Sequence, residues 1–155
     1  MFKIIKLIFT KNPIKSFQME MQLMLHYSDR SRLLRKYFQR RLYYIYSCDI
    51  SHSTKIHESV GFPHPIGVVI GSQAVVESGC KIYQQVTLGS DFLSDNKMPH
   101  IKENTTIGTG AKLIGDITIG KNCIIGANAI VTKSVPDNCV VVGANIIKEK
   151  RLQDS

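Results

Sequence analysis

The chain has no tryptophan, only five prolines, and four cysteines without a CxxC pair. Cys48, Cys80, Cys123 and Cys139 are too widely spaced for a zinc ribbon or a thioredoxin-type redox pair, so they read as small buried side chains. Long apolar runs are also missing. Phe2 to Phe9 is apolar but short, and Lys3 and Lys6 interrupt it, whereas a spanning helix needs about 20 apolar residues. No signal peptide is recognisable, so the expected location is cytoplasmic. Acid is scarce in one place. Residues 1–47 hold ten Lys or Arg against Glu20 and Asp29, while residues 48–155 carry ten of each sign. The whole excess of +8 therefore lies in the first third of the 155 residues, which marks two parts of different character.

Beyond residue 48 the sequence repeats with a period of six. Units begin at Ile50, Ile56 and Phe62, resume at Ile70, Val76, Ile82 and Leu88, and then run without a slip from Ile101 through Ile107, Leu113, Ile119 and Ile125 to Val131. The fifth position is small or aliphatic: Ala74, Cys80, Val86, Thr105, Ala111, Ile117, Cys123, Ala129, Val135. The second is often glycine: Gly71, Gly89, Gly108, Gly120, Gly126. A helix would show a 3.6-residue period and a single strand would alternate briefly and stop, so this pattern predicts a parallel β-helix. First positions stack inward as aliphatic columns, fifth positions point inward where space is tight, and glycine serves where a Cβ would clash. Two interruptions stand out: eight residues from Phe62 to Ile70, and thirteen from Leu88 to Ile101, the latter throwing out a polar loop over 90–100.

Residues 15–47 read as helix, with Leu33, Leu34, Tyr37, Phe38, Leu42 and Ile45 as its apolar stripe and Pro13 ending whatever precedes. This helix is expected to cover the open end of the first coil. Its basic face is either solvated or drawn to a membrane surface or an anionic acceptor. The expected division is 1–47 basic and helical, 48–147 the β-helix, and 148–155 a tail.

The segments CDISHSTKIH, FPHPIGVVIG, KIYQQVTLG, TIGTGAKLIGDITIGKNCIIGANAIV and VPDNCVVVG occur in the order found in hexapeptide-repeat acyltransferases. Over Cys48 to Ile147 the chain resembles that family, and within it the serine acetyltransferases and their relatives that acetylate surface polysaccharides. The resemblance implies a mainly β fold, a left-handed parallel β-helix with three units per turn, assembled as a homotrimer with sites between subunits. It implies acetyl-CoA as donor and no metal.

It also implies roles. His64, between Pro63 and Pro65, matches the catalytic histidine, and an imidazole suits removal of a hydroxyl proton near neutral pH. Asp49 matches the aspartate that orients it. Gly89 and Ser90 end VTLGS, where the family places its oxyanion donor. Thr109, Gly110, Gly126 and Ala127 match stretches that line coenzyme A, with Lys112 and Lys133 in reach of phosphates; structural turns explain these equally well. Lys97, Met98 and His100 fall in the loop that meets the acceptor. Where serine acetyltransferases carry an aspartate before the histidine, this chain has Pro63, and their Arg-His loop pair aligns with Lys97 and Met98. Proline offers an ammonium nothing, and lysine does not form the bidentate fork of arginine. The GANII ending also departs from the family pattern. The expected acceptor is therefore a sugar hydroxyl of a surface polysaccharide, the basic N-terminus suiting an anionic or lipid-linked acceptor at the inner membrane face. Serine O-acetylation is the alternative. A zinc hydratase of the γ-carbonic anhydrase kind, drawing on His52, His57, His64 and His100, and a non-catalytic scaffold are the readings from other classes.

Overall fold

A computed structural model describes residues 12–92 and 96–149. The segment Phe2–Phe9, loop residues Ser94 and Asp95, and the tail beyond Glu149 lie outside the described residues.

The repeats form the coils of a left-handed parallel β-helix. Its walls are three parallel sheets of very short strands, β1 (Asp49–Ile50), β2 (Lys55–Ile56), β3 (Val69–Ile70), β4 (Val75–Val76), β5 (Lys81–Ile82), β6 (Thr87–Gly89), β7 (His100–Ile101), β8 (Thr106–Ile107), β9 (Lys112–Ile114), β10 (Thr118–Ile119), β11 (Ile124–Ile125), β12 (Ile130–Val131) and β13 (Cys139–Val142). The first wall runs β1-β3-β6-β9-β12, the second β2-β4-β7-β10, and the third β5-β8-β11-β13. β14 (Ile146–Glu149) turns back antiparallel on β13 and closes the third wall. In each wall the first residue of the six-residue unit lies over its equivalent in the next coil. Ile50, Ile70, Leu88, Leu113 and Val131 form one buried column, as do Ile56, Val76, Ile101 and Ile119. Burial of such columns is the main stabilising term, at about 25 cal/mol per Å² of apolar surface.

The fifth positions point inward, and their polar members are satisfied by the ladder. The Thr54 hydroxyl donates to the Ala74 carbonyl at 2.9 Å. The Thr105 hydroxyl donates to the Gly120 carbonyl at 2.7 Å and accepts from the Cys123 N–H at 3.0 Å. All four cysteines are buried and free. Burial pushes the thiols of Cys48, Cys80 and Cys123 up.

The two kinds of glycine have different causes. A Cβ on Gly108, at the second position, would come within 2.8 Å of the Ile125 carbonyl oxygen and 2.9 Å of the Ala127 nitrogen. The fourth position instead needs a left-handed backbone. Glycine fills it at Gly110 (φ 71°), and asparagine at Asn104, Asn122 and Asn128 (φ 55° to 57°), asparagine being one of the few residues that tolerates this region; Asn138 (φ 60°) does the same in the shortened last coil. This corner signal was overlooked in the sequence.

The N-terminal segment is two helices, α1 (Pro13–His26) and α2 (Arg32–Tyr46), rather than one over 15–47. Each starts on a side-chain cap. Asn12 accepts from the N–H groups of Ile14 and Lys15, with Pro13 in the first turn, and Ser31 accepts from Leu34. The expected stripe is only partly inward: Phe38 and Leu42 are buried, but Leu33 (83% exposed), Leu34, Tyr37 and Ile45 face out. α1 supplies much of the cover over the first coil. Phe17, Met21 and Met24 are buried, and the Phe17 ring meets those of Phe62 and Tyr46 edge-on at 5.3 and 5.2 Å. Arg41 of α2 grips the buried Glu20 of α1 through two 2.8 Å bonds.

Gly108→Ala is expected to cost about 1–3 kcal/mol, because a backbone contact must yield. Asn104→Gly, which keeps the left-handed corner, is expected to stay within about 0.5 kcal/mol. Urea unfolding of the two variants separates the two causes.

Candidate active site

The register explains why His64 stands apart from the wall. Asp49 pairs with Val69, twenty residues on, whereas Val69 pairs with Thr87, eighteen on. The first coil therefore carries two residues more than a regular turn, and they fall at the corner between buried Phe62 and buried Val68. Pro63 and Pro65 stiffen that corner. The Ile66 N–H donates to the His64 carbonyl at 2.8 Å, and Gly67 (φ 66°) returns the chain to the wall. The imidazole is exposed and tilted toward the Tyr83 ring, 6.3 Å between centroids. It borders a largely apolar cavity of about 530 Å³, lined also by Pro13 and Ile14 of α1, Ile45 and Tyr46 of α2, and Ile66. Tyr83, Ile14 and Tyr46 were not singled out in the sequence, although KIYQQVTLG contains Tyr83, and Pro13 and Ile45 were read there only as a helix break and a stripe residue.

Asp49 opens β1 with its carboxylate outward. Its N–H donates to the Val68 carbonyl at 2.9 Å, which sets it one ladder step from the segment that follows His64. The two side chains are nevertheless not hydrogen-bonded in the described chain. Asp49 borders a second cavity, of about 350 Å³, with Lys36, Gln39, Arg40, Tyr43 and Tyr44 of α2.

Gly89 lies inside the β6–β9 ladder opposite Ile114, and its carbonyl accepts from the Gly115 N–H at 2.9 Å. Ser90 follows the last ladder residue and is 7% exposed. Of the loop residues, Lys97 pairs with Asp116 at 2.8 Å, and the His100 imidazole Nε2 lies 2.7 Å from Glu77 on the neighbouring coil. Met98 is laid over the Gly71 backbone, where a Cβ would collide with its sulfur. All three residues expected at the acceptor thus have other partners.

The candidates for coenzyme A divide similarly. The Gly110 N–H donates to the Gln84 carbonyl at 2.9 Å, and the Thr109 carbonyl accepts from Asn128 at 2.7 Å. The Gly126 N–H donates to Val141 at 2.8 Å. These backbone groups are spent in coil stacking. Lys112 donates to the Gln85 carbonyl. Ala127 and Lys133 are exposed. Among the described residues no three His, Cys, Asp or Glu converge as a metal site.

The model of the bacterial transferase hexapeptide family, six repeats, matches residues 98–133. The serine acetyltransferase of Buchnera aphidicola subsp. Schizaphis graminum is 38% identical over 120 residues, covering 75% of this chain and 46% of the relative. That of Haemophilus influenzae is 34% identical over 131 residues, covering 81% and 49%. Among solved structures, serine acetyltransferase from Brucella abortus superposes with a TM-score of 0.80 at 28% identity, covering 95% of this chain and 66% of that one. A serine acetyltransferase in complex with CoA superposes at 0.74 with 31% identity, covering 84% and 54%.

The chain belongs to the hexapeptide-repeat, serine-acetyltransferase-like family. It spans about half the length of the curated relatives it matches. In this chain Lys97, Met98 and His100 of the loop are occupied by packing and ion pairing. Met98→Ala is expected to lower stability by about 1 kcal/mol, less than for a fully buried methionine because the side chain is only half-buried. Thermal unfolding measures it, and an unchanged midpoint would contradict the packing role.

Proposed function

We propose that this chain is an acetyl-CoA-dependent O-acetyltransferase of the serine acetyltransferase type, with His64 as general base. The supporting observation is a single imidazole on a proline-braced corner, beside a cavity, in a family whose solved members include a CoA complex. The acceptor hydroxyl gives its proton to His64 while its oxygen attacks the thioester carbonyl. The tetrahedral oxyanion collapses, the C–S bond breaks, and the coenzyme A thiolate leaves and takes the proton back from the imidazolium. Asp49, after a side-chain rotation toward the corner, orients the ring as a positioning residue. Gly89 and Ser90, at the end of β6, supply the oxyanion donor. Lys133 and Ala127 are the coenzyme A contacts left open by the stacking.

The names of the relatives support L-serine as the acceptor, and this reading comes first. A sugar hydroxyl, expected from the sequence, has no support in the comparisons. It stands second because Pro63, the Lys97–Asp116 pair and the packed Met98 leave no ammonium partner and no guanidinium fork at the aligned positions. Within the same proposal the enzyme is a cytoplasmic homotrimer with sites between subunits. The basic α2, with Leu33 and Tyr37 exposed, supports a peripheral membrane contact. No helix among the described residues is long and apolar enough to cross a membrane.

His64→Ala is expected to lower kcat by about 10²–10⁴ with unfolding and oligomeric state unchanged. The assay is thiol release from acetyl-CoA, with L-serine in one arm and nucleotide sugars or oligosaccharides in the other. Full activity of the variant would overturn the reading, and the arm that turns over chooses between the acceptors.

A further inference from the structure

α2 carries Arg32, Arg35, Lys36, Arg40 and Arg41 and no acidic residue. Two of these cations are committed inward: Arg41 to Glu20, and Arg35 to the Ser28 carbonyl at 3.0 Å. Lys36 and Arg40 are not. Neither pairs with a carboxylate among the described residues, and the Arg40 guanidinium lies 5.8 Å over the Tyr44 ring. Both line the 350 Å³ cavity that Asp49 also borders. Had their role been to neutralise Asp49, an ion pair would be expected in so small a space, and none forms.

We propose that this cavity is an anion subsite for the acceptor, in which Lys36 and Arg40 hold a carboxylate or phosphate while the acceptor hydroxyl reaches His64. The inference rests on the catalytic reading of His64 and Asp49. Arginine supplies a planar fork for an oxyanion and lysine a mobile point charge, and both are common ligands of carboxylate and phosphate. Gln39 adds an amide that both donates and accepts, and Tyr43 and Tyr44 add ring faces and hydroxyls, a set suited to a polar, hydroxyl-bearing body next to the charge. Asp49, which also lines the cavity, repels the anion toward the two cations and stays available to the imidazole. The subsite lies on α2, away from the loop where the aligned amino-acid clamp is lost, so the charge of the acceptor is met from a different element.

The test is isothermal titration of the full chain at low ionic strength, where such contacts are least screened. Sodium pyrophosphate, glucose 1-phosphate, L-serine and glucose are compared on the wild type and on Lys36→Gln/Arg40→Gln. Both substituted side chains are exposed, and circular dichroism checks the fold. The double variant is expected to bind the anionic probes at least tenfold more weakly, with glucose and acetyl-CoA binding unchanged. A loss for glucose 1-phosphate alone identifies phosphate as the charge held, and a loss for L-serine identifies carboxylate. Equal anion affinity in wild type and variant, or no anion binding to the wild type, would overturn the subsite. His64→Ala keeps the two readings apart: it is expected to lose transfer while binding the anion as the wild type does. Full transfer by His64→Ala would instead remove the catalytic reading, whatever the titrations give.

Discussion

Every coil must place its inward side chains directly over those of the coil below, because the parallel ladder allows no slip without exposing a whole column. This constraint orders the rest of the molecule. Ile50, Ile70, Leu88, Leu113 and Val131 can form one buried column only if each extra residue is expelled at a corner. The additional residues around His64 and those of loop 90–100 are expelled in this way. In the proposed function the chemistry is carried by the His64 corner, and the walls hold that corner still.

The two ends of the stack face the opposite problem, an unpaired edge with a sticky apolar interior. At one end α1 lays Phe17 against Phe62, and the bond from half-buried Arg41 to buried Glu20 ties α1 to α2. Losing Arg41 would leave the Glu20 carboxylate desolvated, so the bond fixes the helix geometry more than it adds stability. At the other end β14 folds back on β13. The last coil is also short, Ile124 pairing with Val140 sixteen residues on, so the stack tightens as it closes.

Much of this was legible in the sequence. The six-residue period identified the inward columns, and the breaks after Phe62 and Leu88 located both irregular corners. The period is readable because the ladder enforces it at every coil. The corner asparagines were harder to see, because their role is a backbone dihedral rather than a burial. The split of the N-terminal helix was missed because Ser31, a helix start, sits among residues with helical spacing on both sides. The stripe from Leu33 to Ile45 misled because most of it faces outward. Of the site residues, His64 was marked by its prolines and by the extra length of its coil. Lys97, Met98 and His100 were placed by alignment alone, and each is held by a neighbour the sequence did not reveal: Asp116, Gly71 and Glu77.

The account turns on one imidazole receiving a proton beside a thioester. The family places the chain among proteins that include a CoA-bound member, and the fold leaves His64 at the edge of a largely apolar cavity. The most direct measurement is the distance from the coenzyme A sulfur to the His64 ring in a crystal structure of the complex. The account predicts that the sulfur lies at the His64 corner, near enough for a hydroxyl oxygen to touch both the ring nitrogen and the thioester carbon at about 3–3.5 Å. A sulfur remote from that ring in every pairing of subunits would contradict it.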